Sequence, residues 1–425
     1  MGFYEGLLDR FLTKRLRTGR LEVTFPDGSA SSFGDAAVEP VFARFNDAKW
    51  IGKILRNPEL RFGEAYVEGA LMPDGRSIYD LLDTVWINVY GDNAQKNGAI
   101  RRPRTVRLLR ALQRANSPAR ARRNVAHHYD IGDALYRLFL DKDMQYSCAY
   151  FTTPGMSLEE AQDAKKAHIG KKLLIEPGHR VLDIGSGWGG LALDLARGGA
   201  ADVLGITLSS EQLATARRRA AETAMTDHVR FELADYRDLD DQFDRIVSVG
   251  MLEHVGAHYF HEFFAQIRRL MTDDGIALIH TIGRTGVPGV TNPWIDKYIF
   301  PGGYIPALSE LLRHIESLGL YVLDVEVLRH HYAKTLRAWR ERFLANADEA
   351  ATLYDERFVR MWDFYLTSSE LSFRYGDHVV FQLQLGRRQD VAPLVRDYLY
   401  GASSAIKPGT GFEESDKPNT WAALL

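Results

Sequence analysis

Three groups of residues carry side chains able to do chemistry. The stretch DKDMQYSCAYF, residues 141–151, holds Cys148, the only cysteine among 425 residues, in a run of aromatic and hydroxyl side chains. A free cysteine is by default a small buried hydrophobe, so its neighbours must decide whether it does more. The stretch VLDIGSGWGG places Gly185, Gly187 and Gly190 in a G-x-G-x-x-G pattern between an apolar run and a helix start. Such a loop lets backbone approach a ligand closely, and a dinucleotide is one candidate. Two residues argue against NAD. Asp183 stands just before the first glycine, where it can pair with an ammonium or a hydroxyl. The next strand ends in GITLS, with Thr207 at its tip where a dinucleotide fold would carry an acid for the ribose. His127, His128 and Asp130 form the third group and invite a metal, but their spacing gives no tetrahedral set and no metal is expected.

The elements that must position these residues follow from the apolar pattern. From about residue 124, the short runs HRVLDIG, ADVLGITL, VRFELADY, FDRIVSVG and GIALIHTIG alternate with helical stretches such as SEQLATARRRAAETA. That alternation implies βαβ units, an α/β fold and a parallel sheet with helices on both faces. Residues 1–100 read instead as a small α+β unit. Leu7, Leu8, Phe11, Leu12 and Leu16 share one helical face, Lys14, Arg15 and Arg17 the other, and a hairpin turns at Pro26-Asp27-Gly28. Between these regions, residues 101–123 hold nine arginines, and no acid appears until Asp130. This is either a solvated linker or a patch for anionic lipid headgroups. It has no aromatic to stack on bases, so nucleic acid is not expected. The division is therefore 1–100, 101–123 and 124–425, which suits the two or three domains that this length implies.

Bulk properties narrow the setting. A net charge of −3 gives no global attraction to polyanions, so any such attraction must be local. One cysteine rules out an intramolecular disulfide and suits a reducing cytosol. No apolar run approaches the ~20 residues needed to span a bilayer. The N-terminus carries acids early and lacks a small-residue cleavage site, so no signal peptide is expected. A cytoplasmic protein is expected, one that at most sits on a membrane surface.

Taken in order, LDIGSGWGG, GITLSSEQ, ADYRD and MLEHVG resemble class I S-adenosylmethionine methyltransferases. More narrowly they resemble cyclopropane fatty acid synthases and the mycolic acid cyclopropane synthases. HHYDIGDALYRLFLDKDMQYSCAYF is similar to that family's leading segment, and the resemblance covers residues 124 to about 390. The N-terminal region and the basic linker look like the bacterial phospholipid-acting branch. The resemblance implies a class I Rossmann-like sheet preceded by a small α+β domain, with S-adenosyl-L-methionine as co-substrate. Asp183, Gly185 and Gly187 would line its methionine end. Thr207, Gln212, Asp235 and Tyr236 would lie near the ribose and adenine, and Tyr146 and Ser147 would close over the methionine.

The implied reaction adds a methylene across a cis double bond of a phospholipid acyl chain. An alkene is a poor nucleophile, so positioning in a dry tunnel must do most of the work. Trp294, Tyr298, Phe300 and Tyr304 are candidate aromatic faces for the carbocation. In the resembled family a bicarbonate ion takes the proton. Its cradle maps here to Cys148, Glu253, His280 with the Ile282 backbone, and Tyr332, while His254 would orient Glu253. Three other readings stand beside this one: loss of a different proton giving a methyl or methylene branch, a small-molecule methyltransferase, and a lipid-binding module without activity. A homodimer presenting two basic faces to the inner face of the cell membrane is the expected assembly.

Overall fold

The computed structural model describes residues 2–90, 132–200 and 202–400. The arginine-rich stretch and the group His127, His128 and Asp130 lie outside the described residues. The N-terminal unit runs α1 (Phe3–Arg15), β1 (Arg20–Thr24), β2 (Ala30–Gly34), β3 (Val41–Phe45), α2 (Lys49–Arg56), α3 (Pro58–Val67), β4 (Leu71–Asp74) and α4 (Ile78–Tyr90). Its sheet has the order β2-β1-β3-β4. The β1–β2 hairpin forms where Pro26-Asp27-Gly28 predicts it. Asp27 accepts from the Ser29 amide at 2.9 Å, and Gly28 takes φ +83°, which costs glycine little.

The second unit contains α5 (Asp133–Arg137), α6 (Leu158–Leu173), β5 (Arg180–Ile184), α7 (Gly190–Arg197), β6 (Asp202–Thr207), α8 (Ser210–Glu222), β7 (Val229–Leu233), β8 (Phe243–Val249), α9 (Phe260–Leu270) and β9 (Met271–Arg284). It continues through α10 (Pro293–Tyr298), α11 (Leu308–Ser317), β10 (Tyr321–Val327), α12 (His331–Ala345), α13 (Ala347–Leu353), α14 (Glu356–Arg374) and β11 (His378–Gly386). The seven strands lie in the order β10-β11-β9-β8-β5-β6-β7. Five of them pair in parallel, as the alternation implies. The wholly parallel sheet is corrected at one edge: β11 runs antiparallel to both β9 and β10. Three helices, α12 to α14, carry the chain back from β10, and HVVFQLQLG then enters the sheet between β10 and β9 running opposite to both. Strand order reverses at β5, the switch point where such sheets bind ligands beyond their carboxyl ends.

Glycine decides how the two units meet. A Cβ at Gly63 on α3 would lie 2.6 Å from the Phe364 ring on α14 and 2.7 Å from the Trp294 indole nitrogen on α10. The close approach lets one hydrophobic cluster run from Leu8 and Phe45 through Trp294, Trp362 and Phe364. Polar latches flank it. Glu64 accepts from Lys297 at 2.8 Å and from Tyr298 at 2.9 Å, and Tyr375 donates to Asp83 at 2.9 Å. We expect Gly63→Leu to lower unfolding stability by about 1–3 kcal/mol through overpacking, seen as a lower urea midpoint with helix content kept. An unchanged midpoint would mean the units separate freely. No helix among the described residues is long and apolar enough to cross a membrane.

Candidate active site

The glycine loop leaves β5 at the switch point. Gly185 and Gly187 take φ +81° and +55°, and the Gly185 and Ser186 amides both donate to the Ile206 carbonyl at 2.9 Å, tying the loop to β6. Gly185, Gly187, Thr207, Gln212, Asp235 and Tyr236 line one cavity of about 110 Å³. The Thr207 hydroxyl donates to Gln212 Oε1 at 2.9 Å, fixing the amide at the pocket wall. Arg237 clamps the Asp235 carboxylate at 2.9 and 2.6 Å. The Tyr236 ring packs edge-on against Phe263, with centroids 5.4 Å apart. Asp183 lines neither this cavity nor the next. It lies 2% exposed beneath the loop, Oδ2 has no partner, and burial pushes its pKa up to about 7 despite the opposing charge of Lys165.

A second cavity of about 510 Å³ joins the two units. One end is walled by α1, α4 and the N-terminal sheet through residues such as Leu8, Phe45 and Trp86. The other end is lined by Tyr146, Ser147, Cys148, Glu253, His280, Ile282 and Tyr332. Seven residues from four distant segments thus share one chamber. The two cavities have only Gly250 and His254 in common among the described residues.

The 141–151 segment is pinned from both sides. Asp141 accepts from the Asp143 and Gln145 amides at 2.9 Å, Gln162 on α6 donates to the carbonyls of Gln145 and Ser147, and Thr335 on α12 accepts from the Ala149 amide at 3.1 Å. Tyr146 bonds Tyr365 through their hydroxyls at 2.9 Å and stacks on Trp339. Cys148 is 1% exposed, its thiol directed weakly to the Ala149 carbonyl at 3.4 Å. Burial drives its pKa well up, so it is a thiol and not a thiolate nucleophile.

Glu253 Oε1 accepts the Ile282 amide at 2.5 Å, while Oε2 is buried without a partner. Burial raises the Glu253 pKa to about 7 against the pull of that amide. The Ile282 N–H is therefore already engaged by Glu253 and holds that carboxyl in place. His280 on β9 faces Gln382 on β11 in register, with Nδ1 3.1 Å from the amide nitrogen. Burial lowers the His280 pKa to about 3 and that of His254 to about 4, so both rings are neutral. With the Gln382 amide donating to Nδ1, the His280 proton sits on Nε2. Trp294, Phe300 and Tyr304 line this chamber, whereas Tyr298 bonds Glu64 at the seam between the units. Tyr365, Gln382 and Lys165 escaped the sequence reading. Only Lys165 left a signal there, as a charge on the apolar face of a helical pattern. Among the described residues no group of three or more His, Cys, Asp or Glu could hold a metal.

The arrangement pairs a glycine-loop pocket with an apolar chamber ending in neutral hydrogen-bond donors. A family profile described as mycolic acid cyclopropane synthetase matches residues 116–383. This chain belongs to that family. Its members are S-adenosylmethionine-dependent cyclopropane synthases and methyltransferases of lipid acyl chains. Residues 7–91 match a domain of unknown function. The chain is 39% identical over 349 residues to the cyclopropane-fatty-acyl-phospholipid synthase of Escherichia coli K12, covering 82% of this chain and 88% of that one. It is 35% identical over 401 residues to the tuberculostearic acid methyltransferase UfaA1 of Mycobacterium tuberculosis, covering 90% and 91%. The solved structure of mycolic acid cyclopropane synthase CmaA1 complexed with SAH and CTAB superposes with a TM-score of 0.59 at 34% identity, covering 62% of this chain and 97% of that one.

Proposed function

We propose that this protein converts a cis double bond in an unsaturated phospholipid acyl chain to a cyclopropane, using S-adenosyl-L-methionine as methylene source and bicarbonate as base. The observation that carries the reading is the 510 Å³ chamber, apolar along the N-terminal unit and ending at Cys148, Glu253, His280 and Tyr332, beside a separate glycine-loop pocket. The pocket fits the co-substrate: positive-φ glycines leave room for close backbone approach, and the Thr207–Gln212 pair gives an oriented polar wall. Bound there, S-adenosyl-L-methionine supplies an electrophilic methyl.

The chain's own residues then have three tasks. The apolar walls hold the olefin away from water, so the developing cation is not quenched. The faces of Trp294, Phe300 and Tyr304 stabilise positive charge without trapping it. The thiol of Cys148, the carboxyl of Glu253 and the Nε2–H of His280 are neutral donors beside one another and suit an anion better than a cation. Bicarbonate held among them would supply the base, and Glu253, whose pKa of about 7 lets it ionise, could take the proton onward on Oε2 once its own has been released. The exposed side chains of Phe3, Leu7 and Phe11 on α1, with Lys14 and Arg15 in its last turn, support peripheral contact with a lipid surface. Leu8, Phe11 and Leu12 of the same helix line the chamber, so that contact would place the acyl chain at its mouth.

The test is mass spectrometry of vesicles of mono-unsaturated phospholipid after incubation with the purified protein and S-adenosyl-L-methionine. The acyl chain should gain one CH2 unit and become resistant to ozone. A gain of CH2 with the olefin still cleavable would mean methyl or methylene branching. The likeness to the tuberculostearic acid methyltransferase makes that the second reading. No gain would overturn both.

A further inference from the structure

Helix α6 buries several polar side chains against the 141–151 segment and the sheet, and most of them have charged partners. His168 and Lys172 share Glu326 at 2.6 and 2.5 Å, and Lys166 has Asp143 and Asp163 at 3.0 Å. Lys165 differs. It is 0% exposed, and its ammonium donates only to neutral groups, Gln145 Oε1 at 2.5 Å and Ser147 Oγ at 2.9 Å. No carboxylate among the described residues lies within 4 Å of it. Asp141, Asp143 and Asp183 act on it from farther away: Asp141 is already engaged by backbone amides, Asp143 by Lys166 and Arg219, and Asp183, its pKa pushed up to about 7, is a weak counter-charge.

A buried charge without a counter-ion is costly, and a fold that keeps one usually has an anion for it to meet. Ser147 connects this charge to the chamber, which it lines beside Cys148. Because Lys165 donates to Oγ, that lone pair is occupied and the hydroxyl's own proton must point elsewhere. We propose that Lys165 is a positioning residue: it turns the Ser147 hydroxyl into a donor toward a planar, carboxylate-type oxyanion in the site and supplies the buried positive charge that this anion needs. Two sources offer that chemistry, bicarbonate and the carboxylate of the co-substrate's methionine part. The first of these rests on the function proposed above.

The experiment uses the full-length protein and the variants Lys165→Gln, Lys165→Arg, Ser147→Ala and the double variant Lys165→Gln/Ser147→Ala. Initial rates are measured against added bicarbonate in CO2-depleted buffer, and S-adenosyl-L-methionine affinity is measured by calorimetry. Lys165→Gln and Ser147→Ala should each weaken one of the two constants by roughly tenfold or more, the scale of a lost hydrogen bond to a charged group. The double variant should be no worse than either single one, and Lys165→Arg should recover most of the loss. A raised bicarbonate KM with unchanged co-substrate affinity assigns the anion to bicarbonate. The reverse assigns it to the co-substrate carboxylate. A fall in kcat or thermal stability with both constants unchanged overturns the proposal and leaves Lys165 a structural residue. If the unaltered protein shows no bicarbonate dependence, the bicarbonate base fails separately, and calorimetry alone decides the role of Lys165.

Discussion

Replacing Glu253 with Gln leaves S-adenosyl-L-methionine binding nearly intact and cuts turnover by about 2–4 powers of ten, the usual scale for lost acid–base help. The geometry separates the two effects. Glu253 lines the acyl chamber and not the glycine-loop pocket, and its Oε1 is held by the Ile282 amide. A Gln can keep that bond with its carbonyl oxygen and can still donate from its nitrogen, but it cannot accept and pass on a proton. The measurements are single-turnover rates and calorimetric binding. Loss of co-substrate affinity in the variant would move Glu253 to the other cavity and sink the assignment.

The same substitution has a stability signature with a definite sign. Burial raises the Glu253 pKa from 4.5 to about 7. Between those values the folded protein binds a proton that the unfolded chain releases, so this residue makes stability fall as pH rises through the window. Gln does not titrate. The variant should therefore gain stability relative to the parent from pH 5 to pH 7, by up to about 3 kcal/mol, and hold that gain above it. A difference that is flat with pH would mean the carboxyl is ionised throughout.

Replacing Gly190 with Val should lower turnover by about a hundredfold through a displacement of the 141–151 segment. A Cβ at Gly190 would fall 2.2 Å from Asp143 Oδ2 and 2.5 Å from Gln145 Nε2. Neither group can yield cheaply. Asp143 is held by Arg219 and Lys166, and the Gln145 side chain is bonded to both Asp143 and Lys165. The segment must shift, carrying Tyr146, Ser147 and Cys148 with it. A misplacement near 1 Å is enough to cost two powers of ten in a reaction governed by positioning. Steady-state kinetics with a circular dichroism control check this, and unchanged kinetics would mean the segment's seat on α7 is not what positions Cys148.

The parts of the site that were legible in the sequence were those written in local pattern. The glycine loop, Thr207 at the tip of β6 and the strand–helix alternation each lie within a few residues of chain. Cys148, Glu253, His280 and Tyr332 are remote from one another in sequence and could be joined only through a family resemblance, and the fold brings all four to one chamber. Other features had no local signature. The antiparallel β11 depends on how α14 returns the chain to the sheet. The depth of Asp183 had none either: β5 is buried on both faces, so its side chain lies beneath the loop. The most consequential omission is the chamber's far wall. Leu8 reads as part of one helical face in a separate small unit, and nothing in its spacing, or around Phe45 and Trp86, says that their packing is left open on one side to complete another unit's cavity.

The meeting of the two cavities at Gly250 and His254 has a kinetic consequence. On the function proposed above, the donor enters through the glycine-loop pocket and the lipid through the chamber, and among the described residues the two cavities share only these two lining residues, where the methyl must cross. Because different residues line the two cavities, a donor seated in one leaves most of the other's lining free. Lipid and sulfonium donor should bind in random order, with initial-rate plots that intersect instead of running parallel. The spent nucleoside can depart while the modified chain is still seated, so a fresh donor can enter behind it and form a dead-end ternary complex. Substrate inhibition by the donor would then appear only when modified lipid accumulates.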